Sequence, residues 1–428
     1  MGPDTSGIAV ISQSGGIGFS FFHRGYPKAL HFSFVVTTGN EATLDVLDVA
    51  EYLIDDEGTG VILMFVEGVK SAARLLPIAA KATRAGKPIV VAKVGQSEAA
   101  ADAVASHTAS LAGSSQAYEA VFRHTGIIRG IDSDQMTDIA GAFVYFRDRL
   151  PMGHRVGILT PSGGAGAWFA DLCEAHGLHV PVLDSVTRAR IDPLLPNYGT
   201  SRNPVDVTAQ VIFEVGYAPV LEIMAESDAL DAILVSGSLA HPTYIERDLA
   251  QLTKLGKVVN KPVIFCAYTR AHPRAVELLA QAGFPCLPSM PNAARALAAM
   301  ADYRAFRESS VTQTDGLPAE ESGLTGHPLN LPLYHEYVAK QHLDSWGIRC
   351  PVGRLTRSAS EAIDAAAALC AAVVAKVQSA DIPHKTEVGG VKLNLWNAEA
   401  VRQAYDGIMT NVQRAEPEAG IDLSLIHI

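Results

Sequence analysis

Short, fully apolar runs alternate along the chain with longer amphipathic segments. Apolar runs of about five residues between amphipathic helices are typical of parallel strands that are buried on both faces. The pattern therefore predicts an α/β protein built on doubly wound parallel sheets. The strand-like runs are at 7–12, 61–66, 87–91, 156–159, 232–236 and 261–265.

Three landmarks occur twice in the same order. The first is a strand that ends in Ser-Gly-Gly, at Ser14-Gly15-Gly16 and again at Ser162-Gly163-Gly164; a second apolar strand and a strand led by Lys-Pro follow each time. This repeat predicts two tandem domains of the same kind, at 6–150 and 154–300. We expect a polar linker at 301–330, because its Gly- and Ser-containing stretch has no apolar period. A third unit is expected at 331–428.

Length, composition and net charge exclude several classes of protein. At 428 residues the chain has room for about three domains, and it contains no apolar run near the roughly 20 residues of a membrane span. A net charge of −11 argues against nucleic acid or an anionic membrane as a partner. The five cysteines are scattered singly, which predicts buried thiols and neither a zinc site nor disulfides. We expect a cytoplasmic protein.

His107 is the leading catalytic candidate. Ser106 and Thr108 flank it within a run of small residues, so its imidazole is expected to stand unobstructed on a loop. A neutral imidazole can attack phosphorus, hold the phosphoryl group and release it, and the two hydroxyl groups can hydrogen-bond phosphoryl oxygens. The alternative is a solvated loop histidine, one of the 14 histidines in the chain.

Two further positions suit phosphate chemistry at the ends of strands. Ser14-Gly15-Gly16 would place backbone N–H groups and a helix N-terminus against an anion, or its glycines would serve tight packing alone. Glu67 ends the strand at 61–66, where its carboxylate could fix the tautomer of a histidine. The alternative role for Glu67 is to cap a helix that begins near Ser71.

The segment 87–97, the Ala-rich stretch after it and Ser106-His107-Thr108 together resemble the phosphohistidine segment of NDP-forming acyl-CoA synthetases. This family includes ADP-forming acetate–CoA ligases and is related to succinyl-CoA synthetase; the resemblance runs through almost the whole chain. It implies two flavodoxin-like domains, a phosphoryl group carried on His107, support of that histidine by Glu67, and a helix N-terminus at Ser14 facing it. It also implies that Gly39 and Asn40 contact phosphate.

The third unit resembles the opening of the ATP-grasp domain of the same family, from Asp344 to Val391. The resemblance places Lys376 against the nucleotide phosphates. Gly389 and Gly390 would either let the backbone approach phosphate or permit a tight turn. His384 would be either a second phosphoryl acceptor or a polar loop residue.

The resemblance implies that the complete enzyme interconverts acyl-CoA, ADP and phosphate with free acid, CoA and ATP. Its small molecules would be ATP or ADP with Mg²⁺, and coenzyme A as a substrate. An N-terminal CoA-binding domain and most of the ATP-grasp domain are expected to be missing from this chain. Two alternatives remain: a non-catalytic acyl-CoA-binding or regulatory scaffold, and one subunit of a multi-chain synthetase. We expect a homo-oligomer or a partner subunit, and the acyl group stays open.

Overall fold

The structure is a computed structural model that describes residues 6–95, 97, 99–100, 115–314, 336–345, 347–379, 381–382, 384–421 and 423–427. The chain divides into two compact units, Met1–Leu317 and Pro318–Ile428. The first unit contains two parallel five-stranded sheets and the second a four-stranded antiparallel sheet. The predicted fold class, two flavodoxin-like α/β modules followed by part of an ATP-grasp domain, is confirmed.

The first sheet has the strand order β2-β1-β3-β4-β5, and its strands pair in parallel. The central strand is buried throughout because helices cover both faces: Ile8 and Val10 enter one hydrophobic core, and Ala9 and Ile11 enter another. The elements are β1 (Gly7–Ser12), α1 (Gly15–Gly25), β2 (Phe32–Thr37), α2 (Val46–Asp55), β3 (Thr59–Val66), α3 (Ala72–Arg84), β4 (Ile89–Lys93), α4 (Ser115–Thr125), β5 (Ile128–Arg129) and α5 (Ser133–Phe146).

The second sheet repeats this topology in the order β10-β9-β8-β6-β7. Its strands are again parallel, and β6 holds the place that β1 has in the first sheet. The elements are β6 (Val156–Thr160), α6 (Gly163–Ala175), α7 (Ser185–Ile191), β7 (Val205–Asp206), α8 (Thr208–Glu214), α9 (Ala218–Glu226), β8 (Ala232–Gly237), α10 (Thr243–Val258), β9 (Val263–Ala267), α11 (Pro273–Gln281), β10 (Cys286–Leu287) and α12 (Met290–Thr314).

The repeated Lys-Pro landmark has a structural cause. The Lys87 ammonium donates to the carbonyl oxygens of Leu53, at 3.2 Å, and Asp56, at 2.5 Å, where α2 ends. The Lys261 ammonium donates to the carbonyl oxygen of Ser227, where α9 ends. In each module the lysine therefore satisfies carbonyl groups at the negative end of a helix just before its strand begins.

The two modules share a hydrophobic core. α5 and α12 pack against each other, and the rings of Phe143 and Tyr303 meet edge to face with their centroids 5.4 Å apart. The same core contains Ile8 of the first sheet and Ile158 of the second. The modules of the first unit are therefore joined through buried side chains and not by a connecting segment alone.

The expected linker at 301–330 is wrong for its first part. α12 continues to Thr314, and Ala301 and Tyr303 are buried in the shared core. Polar residues on the outer side of this helix interrupt the helical spacing of its apolar residues. Asp302 and Arg304, for example, are less buried than Tyr303 between them. Residues 315–330 lie outside the described part of the chain.

The second unit has the strand order β11-β14-β12-β13, and its neighbouring strands are antiparallel. Val373 and Val377 of its sheet pack with Ala362 and Ile408 of two helices in one core. The elements are α13 (Glu336–Ser345), β11 (Gly353–Thr356), α14 (Ala359–Leu369), β12 (Val373–Gln378), β13 (Val391–Leu395), α15 (Ala398–Ala415) and β14 (Leu423–His427).

The cysteines divide by exposure. Cys173, Cys266 and Cys286 are buried, and burial raises the pKa of the Cys173 and Cys286 thiols to about 12. The expectation of buried thiols is wrong for Cys370, the C-cap residue of α14, which is exposed, and for Cys350, which is half-buried.

Candidate functional site

The candidate site lies at the carboxyl edge of the first sheet, between β1 and β3. The strand order reverses at this point, since β2 flanks β1 on one side and β3, β4 and β5 follow on the other. Ligands of doubly wound sheets bind in the crevice at such a switch point. Ser14 follows β1 and Glu67 follows β3, so the topology brings these two predicted site residues to the same crevice.

The turn into α1 leaves the helix N-terminus open. The Ser12 hydroxyl donates to the carbonyl oxygen of Ser14 at 2.6 Å and accepts from its N–H at 3.1 Å, which folds the turn. Ser14 is the N-cap residue of α1, but its side chain makes no capping hydrogen bond within the described structure. The first N–H groups of α1 therefore keep their capacity to bind an anion.

Gly15 and Gly16 are exposed, and a Cβ atom at either position would meet no atom within 4 Å. Gly18 differs, because its Cβ would lie 3.0 Å from Thr37 Cγ2 and 3.2 Å from Ser12 Cβ. Tight packing thus explains Gly18 and does not explain Gly15 or Gly16. The two exposed glycines instead leave room for a ligand to approach the backbone.

Glu67 presents a carboxylate oxygen without a partner. Its Oε2 is buried and has no hydrogen-bond partner in the part of the chain that the structure describes. A buried carboxylate oxygen without a partner costs free energy, so this oxygen keeps an unused capacity to accept a hydrogen bond. The alternative role of Glu67 as a helix cap is wrong, because α3 begins after Ser71, which is its N-cap residue.

Gln13 holds the backbone of Glu67 in place. Its side-chain Oε1 accepts hydrogen bonds from the N–H groups of Glu67 and, at 3.1 Å, Gly68. Its Nε2 donates to the carbonyl oxygen of Gly68 at 2.8 Å. The amide of Gln13 therefore joins the end of β1 to the end of β3. Sequence reasoning missed this residue, although its place directly before Ser14 is a signal that could have found it.

Lys93 lies on the other side of Glu67, at the end of β4. It pairs in register with Val66, and its ammonium donates to the carbonyl oxygen of Val94 and lies 4.9 Å from the centre of the Tyr118 ring. Burial lowers the pKa of Lys93, and the charge of Glu67 opposes that shift. The Tyr118 hydroxyl in turn accepts from the N–H of Val69 at 3.1 Å. Lys93 was also missed from the sequence.

Gly39 and Asn40 are exposed in the turn after β2, at the same edge. Thr38 N–H donates to the carbonyl oxygen of Ser12 at 2.9 Å, which ties this turn to the end of β1. Gly39 has φ 55°, in the left-handed region that favours glycine. The carboxylate of buried Glu41 accepts from Thr38 Oγ1 at 3.2 Å and from the N–H of Val46 at 2.9 Å, so the turn is held at both ends.

Ser106, His107 and Thr108 lie outside the described residues, so their prediction stays a prediction.

The second module differs at the corresponding turn. The Ser162 hydroxyl accepts from the N–H of Ala165 at 3.5 Å, which caps α6. A Cβ atom on Gly163 would lie 3.0 Å from Asp206 Oδ2, so a carboxylate stands beside this helix N-terminus. The turn into α1 is therefore the better anion site of the two.

Lys376 of the second unit is paired with an acid. Its ammonium donates to both carboxylate oxygens of Glu336, at 3.3 and 3.1 Å. The ammonium of Lys340 lies 3.0 Å from the same carboxylate. Burial raises the pKa of Glu336, but the two lysines together outweigh burial and lower it. Glu336 thus holds Lys376 and Lys340 in one charged cluster, which sequence reasoning did not foresee.

Gly389 and Gly390 serve a tight turn. Gly389 has φ 66°, and the N–H of Gly390 donates to the carbonyl oxygen of Lys385 at 2.7 Å. A Cβ on Gly390 would lie 2.7 Å from Val377 Cγ1, so this position requires glycine for packing. His384 is exposed at the start of the turn.

No group of three His, Cys, Asp or Glu side chains within the described ranges is placed to hold a metal ion. Among the described helices, none is long and apolar enough to span a bilayer.

Each of the two units matches a known protein family. Residues 5–143 match the succinyl-CoA ligase like flavodoxin domain, and residues 332–427 match an ATP-grasp domain. The chain is 30% identical, over 99% of its length and 61% of the relative, to the ADP-forming acetate–CoA ligase I of Archaeoglobus fulgidus. It is 33% identical, over 65% of its length and 61% of the relative, to subunit alpha of the ADP-forming acetate–CoA ligase II of Pyrococcus furiosus.

Among solved structures, the chain is similar to a dinucleotide forming acetyl-coenzyme A synthetase 1 of Ca. Korarchaeum cryptofilum in complex with phosphate and ADP. The identity is 25% and the TM-score 0.63, and the match covers 73% of this chain and 68% of that one. The chain spans 61% of the length of its relative from Archaeoglobus fulgidus.

Proposed function

We propose, from the premise that the chain belongs to the family of NDP-forming acyl-CoA synthetases, that it is the phosphoryl-carrying part of such an enzyme. The complete enzyme would interconvert acyl-CoA, ADP and phosphate with free acid, CoA and ATP. The module at 6–150 would carry the phosphoryl group on His107, the module at 154–300 would support it through the shared core, and 331–428 would begin the nucleotide-binding domain.

The buried, unpartnered Oε2 of Glu67 is the observation that carries this proposal. A carboxylate that accepts the N–H of one imidazole nitrogen fixes the tautomer and leaves the other nitrogen free to attack phosphorus. The open N-terminus of α1 at Ser14-Gly15-Gly16 lies at the same switch point, where its N–H groups would bind the phosphoryl oxygens. An acid and an anion site at one crevice are what a phosphohistidine requires.

The proposed reaction has three successive nucleophilic substitutions. Phosphate attacks the thioester carbonyl carbon, the carbon–sulfur bond breaks, and CoA leaves as the thiolate. A nitrogen of His107 then attacks phosphorus of the acyl phosphate, and the carboxylate of the free acid leaves. A terminal oxygen of ADP finally attacks the same phosphorus, which gives ATP and restores the imidazole.

The remaining predicted residues have subsidiary roles in this proposal. Ser106, Thr108, Gly39 and Asn40 would bind oxygens of phosphate or the acyl phosphate. Lys376 would bind the nucleotide phosphates and exchange part of its pairing with Glu336 for them. The Mg²⁺ expected with the nucleotide would be held largely by the nucleotide phosphates.

A partner chain is part of the proposal. One of the relatives is a subunit alpha, and the chain spans about 61% of that subunit. We therefore propose that the CoA-binding and remaining nucleotide-binding parts lie either elsewhere in a longer chain or on a partner subunit.

The test is transfer of label from acetyl [³²P]phosphate to the purified chain, because this step needs neither CoA nor nucleotide. We expect an acid-labile, base-stable label on the wild type and on His384→Ala, and none on His107→Ala. Each variant must show the wild-type urea transition, so that loss of label is not loss of fold. A folded wild-type chain that takes no label overturns the proposal and favours a non-catalytic scaffold.

A further inference from the structure

We propose that Gln13 is a positioning residue for Glu67, and that its side-chain amide fixes the direction from which the Glu67 carboxylate meets its imidazole partner. This inference rests on the proposed function. It assigns Gln13 no contact with the substrate. Its effect on phosphoryl transfer would pass through Glu67.

Gln13 replaces the backbone pairing that β1 and β3 lose at their ends. Its N–H continues the ladder by donating to the carbonyl oxygen of Phe65 at 3.1 Å. Beyond that point its side chain takes over, accepting from the N–H groups of Glu67 and Gly68 and donating to the carbonyl oxygen of Gly68 at 2.8 Å. Three hydrogen bonds to two consecutive residues leave the Glu67 backbone little freedom to rotate.

The second module shows that the turn does not need this glutamine. Thr160 repeats the two hydrogen bonds of Ser12, donating to the carbonyl oxygen of Ser162 and accepting from its N–H, both at 3.1 Å. The position between them is Pro161, which has no side-chain amide. The same strand-to-helix turn therefore forms with proline in place of Gln13. The amide clamp occurs in the copy that carries Glu67, where it acts on the far strand and not on the turn.

The absence of charge on the Gln13 side chain suits it to position Glu67. A cationic side chain at this place would pair with Glu67 and occupy its carboxylate, and an acid would add repulsion. The carboxamide binds backbone groups alone, so Glu67 is oriented while its Oε2 stays unpartnered. Lys93 lies at the end of β4, where its ammonium donates to the carbonyl oxygen of Val94 and lies over the Tyr118 ring.

The experiment is a double-mutant cycle on the rate of label transfer from acetyl [³²P]phosphate. Gln13→Met keeps the side-chain length and removes the three hydrogen bonds of the amide. We expect a rate about 10- to 100-fold below wild type, as for other residues that orient a catalytic group. In a Glu67→Gln background the same change should lower the rate by less than about twofold, because its effect passes through the carboxylate.

Two further variants serve as a control and as a substitute for Gln13→Met. Gln135→Met is the matched control, because Gln135 also accepts a hydrogen bond from a backbone N–H, that of Ile131 at 3.3 Å, after the last strand of the same sheet. It should stay within about twofold of wild type. Gln13→Leu also removes the three hydrogen bonds and adds no charge beside Glu67; its cycle with Glu67→Gln decides the matter if Gln13→Met fails to fold.

The outcomes separate the two proposals. A wild-type chain without label, or a His107→Ala chain that retains it, overturns the proposed function and this inference together. A labelled wild type with an equal rate in Gln13→Met overturns this inference alone. The same holds if the defect of Gln13→Met persists in full in the Glu67→Gln background, because the residue would then act by another route.

Discussion

The side chains of Asp138 and Asn292, 154 positions apart in the sequence, meet in the shared core of the first unit, where Asn292 Nδ2 donates to Asp138 Oδ2 at 2.8 Å. The other oxygen of Asp138 accepts from the Lys28 ammonium at 2.5 Å. Asp138 is fully buried and Lys28 is 8% exposed. This buried polar contact joins α5 of the first module to α12 of the second.

Asp138→Ala should destabilise the first unit by about 3–5 kcal/mol, because it leaves the buried Lys28 ammonium without its nearest counter-charge. Urea unfolding followed by circular dichroism measures this change. The control is Lys28→Met with Asp138→Leu, which removes both charges and should cost clearly less. Equal losses in the single and the double variant would contradict the prediction.

Gly16→Ala and Gly18→Ala should have opposite effects on the free energy of unfolding. Gly16 faces open space, so alanine there should keep or raise stability, by up to about 1 kcal/mol. Its methyl group should nevertheless lower label transfer, since it intrudes on the proposed anion site. Gly18→Ala should destabilise by about 1–3 kcal/mol, because its Cβ would crowd Thr37 and Ser12. Unfolding and labelling rates measured on both variants decide this, and equal labelling in Gly16→Ala and wild type would count against the anion site.

Glu67→Gln should separate stability from function. An amide is less costly than a carboxylate in a buried position without a partner, so the free energy of unfolding should rise by about 1 kcal/mol or stay unchanged. Label transfer to His107 should fall, because an amide supports the imidazolium less well. A large loss of stability would show that Glu67 has a structural role instead. Urea midpoints and labelling rates on the same preparation make the comparison.

Glu336 should make the second unit sensitive to acid. Burial raises its pKa, but Lys340 and Lys376 together hold it below the usual 4.5. The folded state then binds fewer protons than the unfolded state, so this contribution is present above pH 4.5 and is lost as pH falls through the lowered pKa. Hydrogen exchange of peptide 336–345, corrected for the intrinsic rate, should show protection that falls with acid.

Glu336→Gln should flatten that acid dependence, whereas the exposed Glu387→Gln should leave it unchanged. An unaltered pH profile in Glu336→Gln would show that the two lysines do not hold this carboxylate in solution.

The sequence allowed the prediction of the local elements that frame the site. The apolar runs predicted the parallel strands, and Ser14-Gly15-Gly16 predicted the turn into α1, because both depend on neighbouring residues. The linker predicted from residue 301 was wrong for its first part, because α12 continues to Thr314. Its polar surface residues conceal buried partners such as Tyr303, which packs on α5 from far along the chain.

The sequence by itself determined the α/β class, the repeat, the Gly-rich turns and Glu67 as a candidate acid. Only the tertiary structure decided which polar side chains meet: Gln13 with the backbone of Glu67, Glu336 with Lys376, and Asn292 with Asp138. The physical reason is that backbone geometry follows from local pattern, whereas strand order brings distant strand ends together. A hydrogen bond between β1 and β3 exists because those strands are neighbours, which no local pattern of residues records.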